Sequence, residues 1–256
     1  MHTPLLIASR ANPRFKSIQA QIAPSGAKRT HTLLLGEKLI EAWADARNST
    51  AGSRLKPCLW LRLEGAKPHA LERTLGVNGL ELGETLMRDL ADSGSPTDHA
   101  LLMEVGPEAS GPLPDQVIVA WAIQDPGNLG AILRSAAAFG FDQALVGPGC
   151  ADPFSPKALR GSMGAAFLLP LRRITQLPMD EGRWYALDGA PEALPLVDAD
   201  LRAPLRILVG NEGHGWREAN LPEGVHFLAI PMEGVESLNA AVAAGIACYE
   251  TARRRR

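Results

Sequence analysis

Val117-Ile118-Val119-Ala120-Trp121-Ala122-Ile123 runs into Gln124-Asp125-Pro126-Gly127-Asn128-Leu129-Gly130, and the chain then continues to Phe139 without a proline. The first seven residues are apolar without alternation, as expected of a strand buried on both faces. Pro126 fixes one backbone dihedral, and Gly127 and Gly130 admit conformations closed to other residues, so the chain turns there. Asn128–Phe139 is then predicted as a helix, with Asn128 at or near its N-cap. Leu129, Ile132, Leu133 and Ala136 form the apolar stripe of that helix.

The same alternation continues on either side. Gln143–Val146 reads as a short strand and Ser155–Arg160 as the start of a helix. Ala166–Leu171 and Trp184–Leu187 continue the series. Arg206–Val209 leads into Gly210-Asn211-Glu212-Gly213-His214-Gly215, and Val225–Ile230 leads into Pro231-Met232-Glu233-Gly234-Val235-Glu236-Ser237-Leu238-Asn239. Ser237–Arg254 is predicted as a final, alanine-rich helix with Ser237 as its N-cap. Strands alternating with helices favour a largely parallel sheet, an α/β fold whose ligands collect at the carboxyl ends of the strands. All three polar, glycine-bearing loops fall at such ends, which suggests one composite pocket.

Toward the N-terminus, Thr32–Leu35, Cys58–Leu63 and Leu101–Val105 read as strands, and Glu37–Arg47 and Leu82–Leu90 as helices. Asn48–Lys56 is a polar connection. Gly106–Pro114 contains two glycines and three prolines, and is the clearest boundary along the chain.

Composition narrows the function classes. A chain of 256 residues with 46% hydrophobic and 21% charged residues is long enough, and apolar enough, to build a core rather than stay disordered. No apolar run approaches the roughly 18 residues needed to cross a bilayer, and Met1–Ala23 lacks the apolar stretch of a secretory signal. Cys58, Cys150 and Cys248 are odd in number and widely spaced. That fits free thiols in a reducing cytoplasm, with neither a zinc pattern nor a disulfide framework. Net charge is only −2, yet the first 30 residues carry Arg10, Arg14, Lys16, Lys28 and Arg29 without an acid. Such a local patch can attract phosphate, or can simply be a solvated arm. The loop at Gly210 lacks the Lys-Ser/Thr of a phosphate-binding loop, and Glu212 would repel phosphate, so a neutral or cationic ligand suits it better. His214 has no Ser-His-Asp or metal-ligand companions.

Three segments in order carry a resemblance: Asp125–Gly130 with Arg134, then Gly210–Gly213, then Ile230-Pro231-Met232 with Glu236-Ser237-Leu238-Asn239. They are similar to the SpoU (TrmH-like) branch of the SPOUT RNA methyltransferases. Asp152–Lys157 and Gly161–Ala165 also look like that family, and the likeness covers residues 115–252. A weaker one, from Asn12-Pro13 through Gly36–Ile40, resembles the small α/β RNA-binding domain many members carry. The resemblance implies residues 1–106 as an RNA substrate-binding domain, 107–114 as a linker and 115–256 as a methyltransferase domain with a trefoil knot. It implies a homodimer, S-adenosylmethionine as donor, and transfer to a ribose 2′-hydroxyl of ribosomal or transfer RNA. No membrane or metal enters this chemistry. By position, Gly210, Ile230 and Leu238 would contact the donor. Asn128, Arg134, Glu212, Ser237 and Asn239 match the family's active-site set, and Arg10, Arg14, Lys16, Lys28 and Arg29 are the candidate RNA contacts. Methylation of a base, or a non-catalytic RNA-binding or assembly role on the same scaffold, remain alternatives at this point.

Overall fold

The computed structural model describes residues 5–47, 54–91, 97–190, 192–211, 216 and 221–255. Its first half contains β1 (Leu5–Ile7), α1 (Pro13–Ile22), β2 (His31–Leu35), α2 (Glu37–Ala46), β3 (Leu55–Leu63), α3 (Ala70–Leu75), β4 (Asn78–Leu82), α4 (Glu84–Ala91) and β5 (His99–Val105). These strands form one sheet in the order β1-β4-β3-β5-β2, in which β5 runs against both of its neighbours and the other pairs are parallel. The two-residue period of β2 divides its side chains between two cores. Leu33 and Leu35 join Phe15, Leu61, Leu80 and Leu86 on one face, while Leu34 packs with Trp43 and Trp60 on the other.

The second half contains β6 (Gln116–Ala120), α5 (Pro126–Ala138), β7 (Gln143–Val146), α6 (Pro156–Ser162), α7 (Ala165–Leu168), β8 (Leu171–Arg173), β9 (Arg183–Leu187), β10 (Leu194–Pro195), β11 (Leu205–Val209), β12 (Val225–Ala229) and α8 (Ala240–Arg254). Every strand pair is parallel, in the order β10-β12-β9-β11-β6-β7-β8. Helices cover both β6 and β11 from one side: Ile118, Ala120, Ile207 and Val209 meet Leu133 of α5 and Ala244 of α8. Val117, Val119 and Leu208 meet Trp184 and Trp216 on the opposite face. Burial on both faces is why these strands read as unbroken apolar runs.

Several element boundaries differ from the sequence reading. β6 stops at Ala120, because Ala122 turns the chain at φ 55°. Asp125, not Asn128, caps α5: its Oδ1 accepts from Asn128 N at 2.9 Å, and Pro126 stands at the first position, where no N–H is needed. Asn239, not Ser237, caps α8, accepting from the backbone N–H groups of Ala241 and Val242. Leu82 closes β4 and α4 begins only at Glu84. The Ala166–Leu171 run divides between α7 and β8, because Met163 and Gly164 both take left-handed backbone and restart the chain. Residues 48–53 of the polar connection lie outside the described residues, and β3 already begins at Leu55.

The two halves are joined by more than the 106–115 segment. Leu34, Trp43, Trp60 and Leu101 share a core with Ile118, Phe154 and Phe167, and the Thr32 hydroxyl donates to the Phe154 carbonyl at 2.6 Å. Asp152 is the polar centre of the joint. Its carboxylate accepts from Arg29 Nε, from Gly26 N at 2.9 Å and from Arg173 Nη2 at 3.1 Å.

Candidate active site

β12, β9 and β11 are neighbours in the sheet, so the loops at their carboxyl ends converge. One cavity lies between them. Leu187, Asp188 and Gly189 leave β9, Val209, Gly210 and Asn211 leave β11, and Ile230 and Met232 leave β12. Glu236, Ser237 and Leu238 close it on the approach to α8, and Ala240 and Ala243 of that helix complete the wall. The interior is apolar at Leu187, Leu228, Ile230 and Leu238, with strand-end backbone and two carboxylates, Asp188 and Glu236, around it.

Gly210 is where a side chain would not fit, since a Cβ there would lie 2.9 Å from the Trp216 indole. That ring is 3% exposed and donates its N–H to the Leu187 carbonyl at 2.9 Å, tying the β11 and β9 loops together. Asp188 ties them a second time, accepting from Ala190 N at 2.9 Å and from Trp216 N at 3.4 Å.

At the rim stand the N-termini of α5 and α8. Asn239, between the lining residues Leu238 and Ala240, donates its Nδ2 to Asn128 Oδ1 at 3.2 Å. Asp125 Oδ2 accepts from Lys157 Nζ at 2.6 Å. That ammonium, with the Asn128 N–H, holds the Asp125 carboxyl below the usual carboxylate range.

Arg134 behaves differently. It lies six residues beyond Asn128, which is about 9 Å along the helix and about 240° around it. Its exposed side chain lines a separate depression with Ala42 and Asp45 of α2, Met163 and Leu168. Among the described residues it has no hydrogen-bond or ion-pair partner. The structure therefore gathers Gly210, Ile230, Ser237 and Leu238 in one cavity, sets Asn128 and Asn239 at its edge, and leaves Arg134 outside the cavity of its own chain. Glu212 and His214 lie outside the described residues.

The N-terminal basic residues also separate. Arg14, Lys16 and Lys28 are exposed, whereas Arg10 is engaged by Asp89 at 2.6 Å. Arg29 does not belong to a surface patch: its side chain is 8% exposed and clamped on Asp152, with further bonds to the carbonyls of Ile22 and His31. On α8, Val242, Ile246 and Tyr249 are 50%, 36% and 54% exposed at helical spacing, and form an uncovered apolar face.

Asp188 and Trp216 went unnoticed in the sequence. Leu187-Asp188-Gly189 repeats the pattern of an apolar strand followed by a polar residue and glycine, which would have singled out Asp188. Nothing marks Trp216 beyond its place after the Gly210 loop. Among the described residues there is no cluster of metal-ligating side chains, and no helix is long and apolar enough to cross a membrane.

The model of the SpoU rRNA Methylase family matches residues 115–249. The 23S rRNA (guanosine(2553)-2′-O)-methyltransferase RlmP of Bacillus subtilis is 30% identical over 255 residues, 95% of this chain and 97% of that protein. An RNA 2′-O ribose methyltransferase of known structure superposes with a TM-score of 0.75 at 30% identity, covering 98% of this chain and 99% of its own. The AdoMet-bound rRNA methyltransferase of Sinorhizobium meliloti superposes with a TM-score of 0.78 and 97% coverage of both chains; at 24% identity that likeness speaks for the fold alone.

Proposed function

This chain belongs to the SpoU rRNA methylase family, and from that premise we propose that it transfers a methyl group from S-adenosylmethionine to a ribose 2′-hydroxyl of RNA, with ribosomal RNA as the substrate class. The observation that carries this reading is the single cavity enclosed by the loops after β9, β11 and β12, with Asn128 and Asn239 at its edge. Its chemistry suits the donor. The apolar side chains of Leu187, Leu228, Ile230 and Leu238 offer a slot for a flat base, and the strand-end backbone of Gly210 and Ile230 lines the same slot, where it can read the edge of that base. Asp188 and Glu236 set negative charge where a sulfonium and an ammonium would be bound.

Gly210, Ile230 and Leu238 are the residues that would hold the donor, chiefly through backbone groups. When bound, S-adenosylmethionine supplies an electrophilic methyl carbon for in-line displacement. The chain's task is to align the accepting oxygen and to assist loss of its proton. A guanidinium stays protonated, so Arg134 acts by gripping the adjacent phosphate and stabilising the developing alkoxide. Glu212 or a water takes the proton, and Ser237, Asn128 and Asn239 hold loops and ribose by hydrogen bonds.

Arg134 is not aimed at the cavity of its own chain, which supports a homodimer in which it serves the cavity of the second copy. The uncovered Val242, Ile246 and Tyr249 face of α8 supplies an apolar surface for that contact. The return of β11 between β6 and β9 supports the trefoil knot, a rare exception to unknotted topology. Residues 1–106 present the RNA, with Arg14, Lys16 and Lys28 on phosphate, and the three unpaired thiols suit a cytoplasmic protein.

The test is donor binding by calorimetry together with single-turnover methyl transfer, in wild type and Arg134→Ala. The variant keeps donor affinity and loses about 10²-fold in rate. A wild-type protein that ignores S-adenosylmethionine overturns the activity; a variant with wild-type single-turnover rate removes Arg134 from it.

A further inference from the structure

The Asn239 Oδ1 accepts from Ala241 N at 3.0 Å and from Val242 N at 3.3 Å. Both donors are first-turn groups of α8 with no carbonyl partner inside the helix, and only the oxygen of a carboxamide can meet them. The helix therefore fixes which way this amide points. Its nitrogen is turned away, toward Asn128 Oδ1 at 3.2 Å. That bond in turn fixes the second amide. The Asn128 oxygen is committed to Asn239, and its Nδ2 is left with no acceptor among the described residues. The backbone N–H of Asn128 is anchored on Asp125, so the residue is held at both ends.

We infer that Asn239 is a positioning residue: through its own helix cap it locks the Asn128 carboxamide with Nδ2–H outward, as a donor to an oxygen of the RNA sugar–phosphate backbone at the cavity mouth. This rests on the reading that RNA docks over that cavity. The two amides thus have unequal roles. Asn239 faces its own helix, and Asn128 faces the substrate.

Asn239→Asp separates the lock from the cap. Aspartate caps a helix as well as asparagine does, and its charge is favoured at a helix N-terminus. It has no proton to give to Asn128, so the Asn128 amide turns over and presents oxygen outward. In RNA-free protein, the side-chain amide cross-peak of Asn128 in a ¹⁵N–¹H spectrum shifts, and one of its protons exchanges more slowly. Melting temperature and donor affinity hold, and methyl transfer falls about 10²-fold. A fall confined to kcat identifies the 2′-oxygen as the acceptor, and a rise confined to KM for RNA identifies a phosphate oxygen. Asn128→Asp, which keeps the bond from Asn239 but replaces the outward donor by an acceptor, gives the same loss if the first variant folds poorly. An unchanged cross-peak in Asn239→Asp overturns the lock, as does a reversed amide with both kinetic constants unaltered. If wild type itself transfers no methyl group, the functional reading fails, while the cross-peak still decides the orientation.

Discussion

Gly210→Ala tests how tightly the cavity is built. The added Cβ would meet Trp216 carbons at 2.9 Å and its ring nitrogen at 3.2 Å. Relaxed carbon contacts sit at about 3.5–4.0 Å, so a gap of roughly 0.6 Å or more must be opened. The ring cannot retreat freely: it is 3% exposed, packs with Val119, Trp184 and Leu208, and is hydrogen-bonded to the Leu187 carbonyl. Overpacking of this kind costs about 1–3 kcal/mol, and a weakened hydrogen bond adds up to about 1 kcal/mol. For a chain of this size each kcal/mol lowers the melting temperature by about 2–4 °C, giving a fall of roughly 2–16 °C. Displacement of the ring into the cavity weakens S-adenosylmethionine binding about tenfold for every 1.4 kcal/mol. Thermal melts and calorimetric donor titration measure the two effects. Trp216→Phe in the same background gives back room, so the double variant should lose less than the two single losses combined, by about 1 kcal/mol or more. Strict additivity, or an alanine variant with wild-type melting and donor affinity, would refute the close approach.

Arg29→Ala leaves the buried Asp152 with one cation fewer, and should destabilise the fold by about 3 kcal/mol in denaturant titration. It should leave the salt dependence of RNA binding unchanged, whereas Arg14→Ala with Lys16→Ala lowers the slope of log K against log salt by about 2; the reverse pattern would exchange their roles. Burial lowers the pKa of the His99 imidazole, and the Trp60 indole donates to its Nδ1 at 3.1 Å, an arrangement that needs the neutral ring. The unfolded ring takes up a proton near pH 6.5 while the folded ring resists. The resulting stability is therefore full above about pH 6.5 and declines as pH falls toward the lower folded value. His99→Gln should flatten the difference in melting temperature between about pH 5.5 and about pH 7.5, and an undiminished difference would assign it to other groups.

The parts of this fold that announce themselves in the sequence are those whose residues answer to one requirement. Val117–Ala120 and Leu205–Val209 are buried on both faces and need only be apolar. Asn78–Leu82 answers to two faces, with Leu80 and Leu82 inward and the residues between them less buried, so Leu82 passes equally well as the start of a helix. Ser237 and Asn239 are both good capping residues, and only three-dimensional packing decides that Ser237 lines the cavity while Asn239 takes the cap. Charge is the least legible property. Arg29 and Arg14 look alike on paper, yet one is sealed on Asp152 and the other meets solvent. The cavity's loops could be read from their glycines and prolines. Its Trp216 wall could not, because an indole that packs beneath a glycine leaves no spacing pattern.

The core that runs from Trp43 and Trp60 to Ile118 and Phe154 also bears on how such a protein can diversify. Grafting the first sheet of a relative onto this second sheet would strip a hydrophobic seam of its counterpart unless the Phe154 loop travelled with it. The two halves are therefore tied as one piece, and new surface properties are more readily acquired on the outer face of the first sheet than by exchanging whole modules.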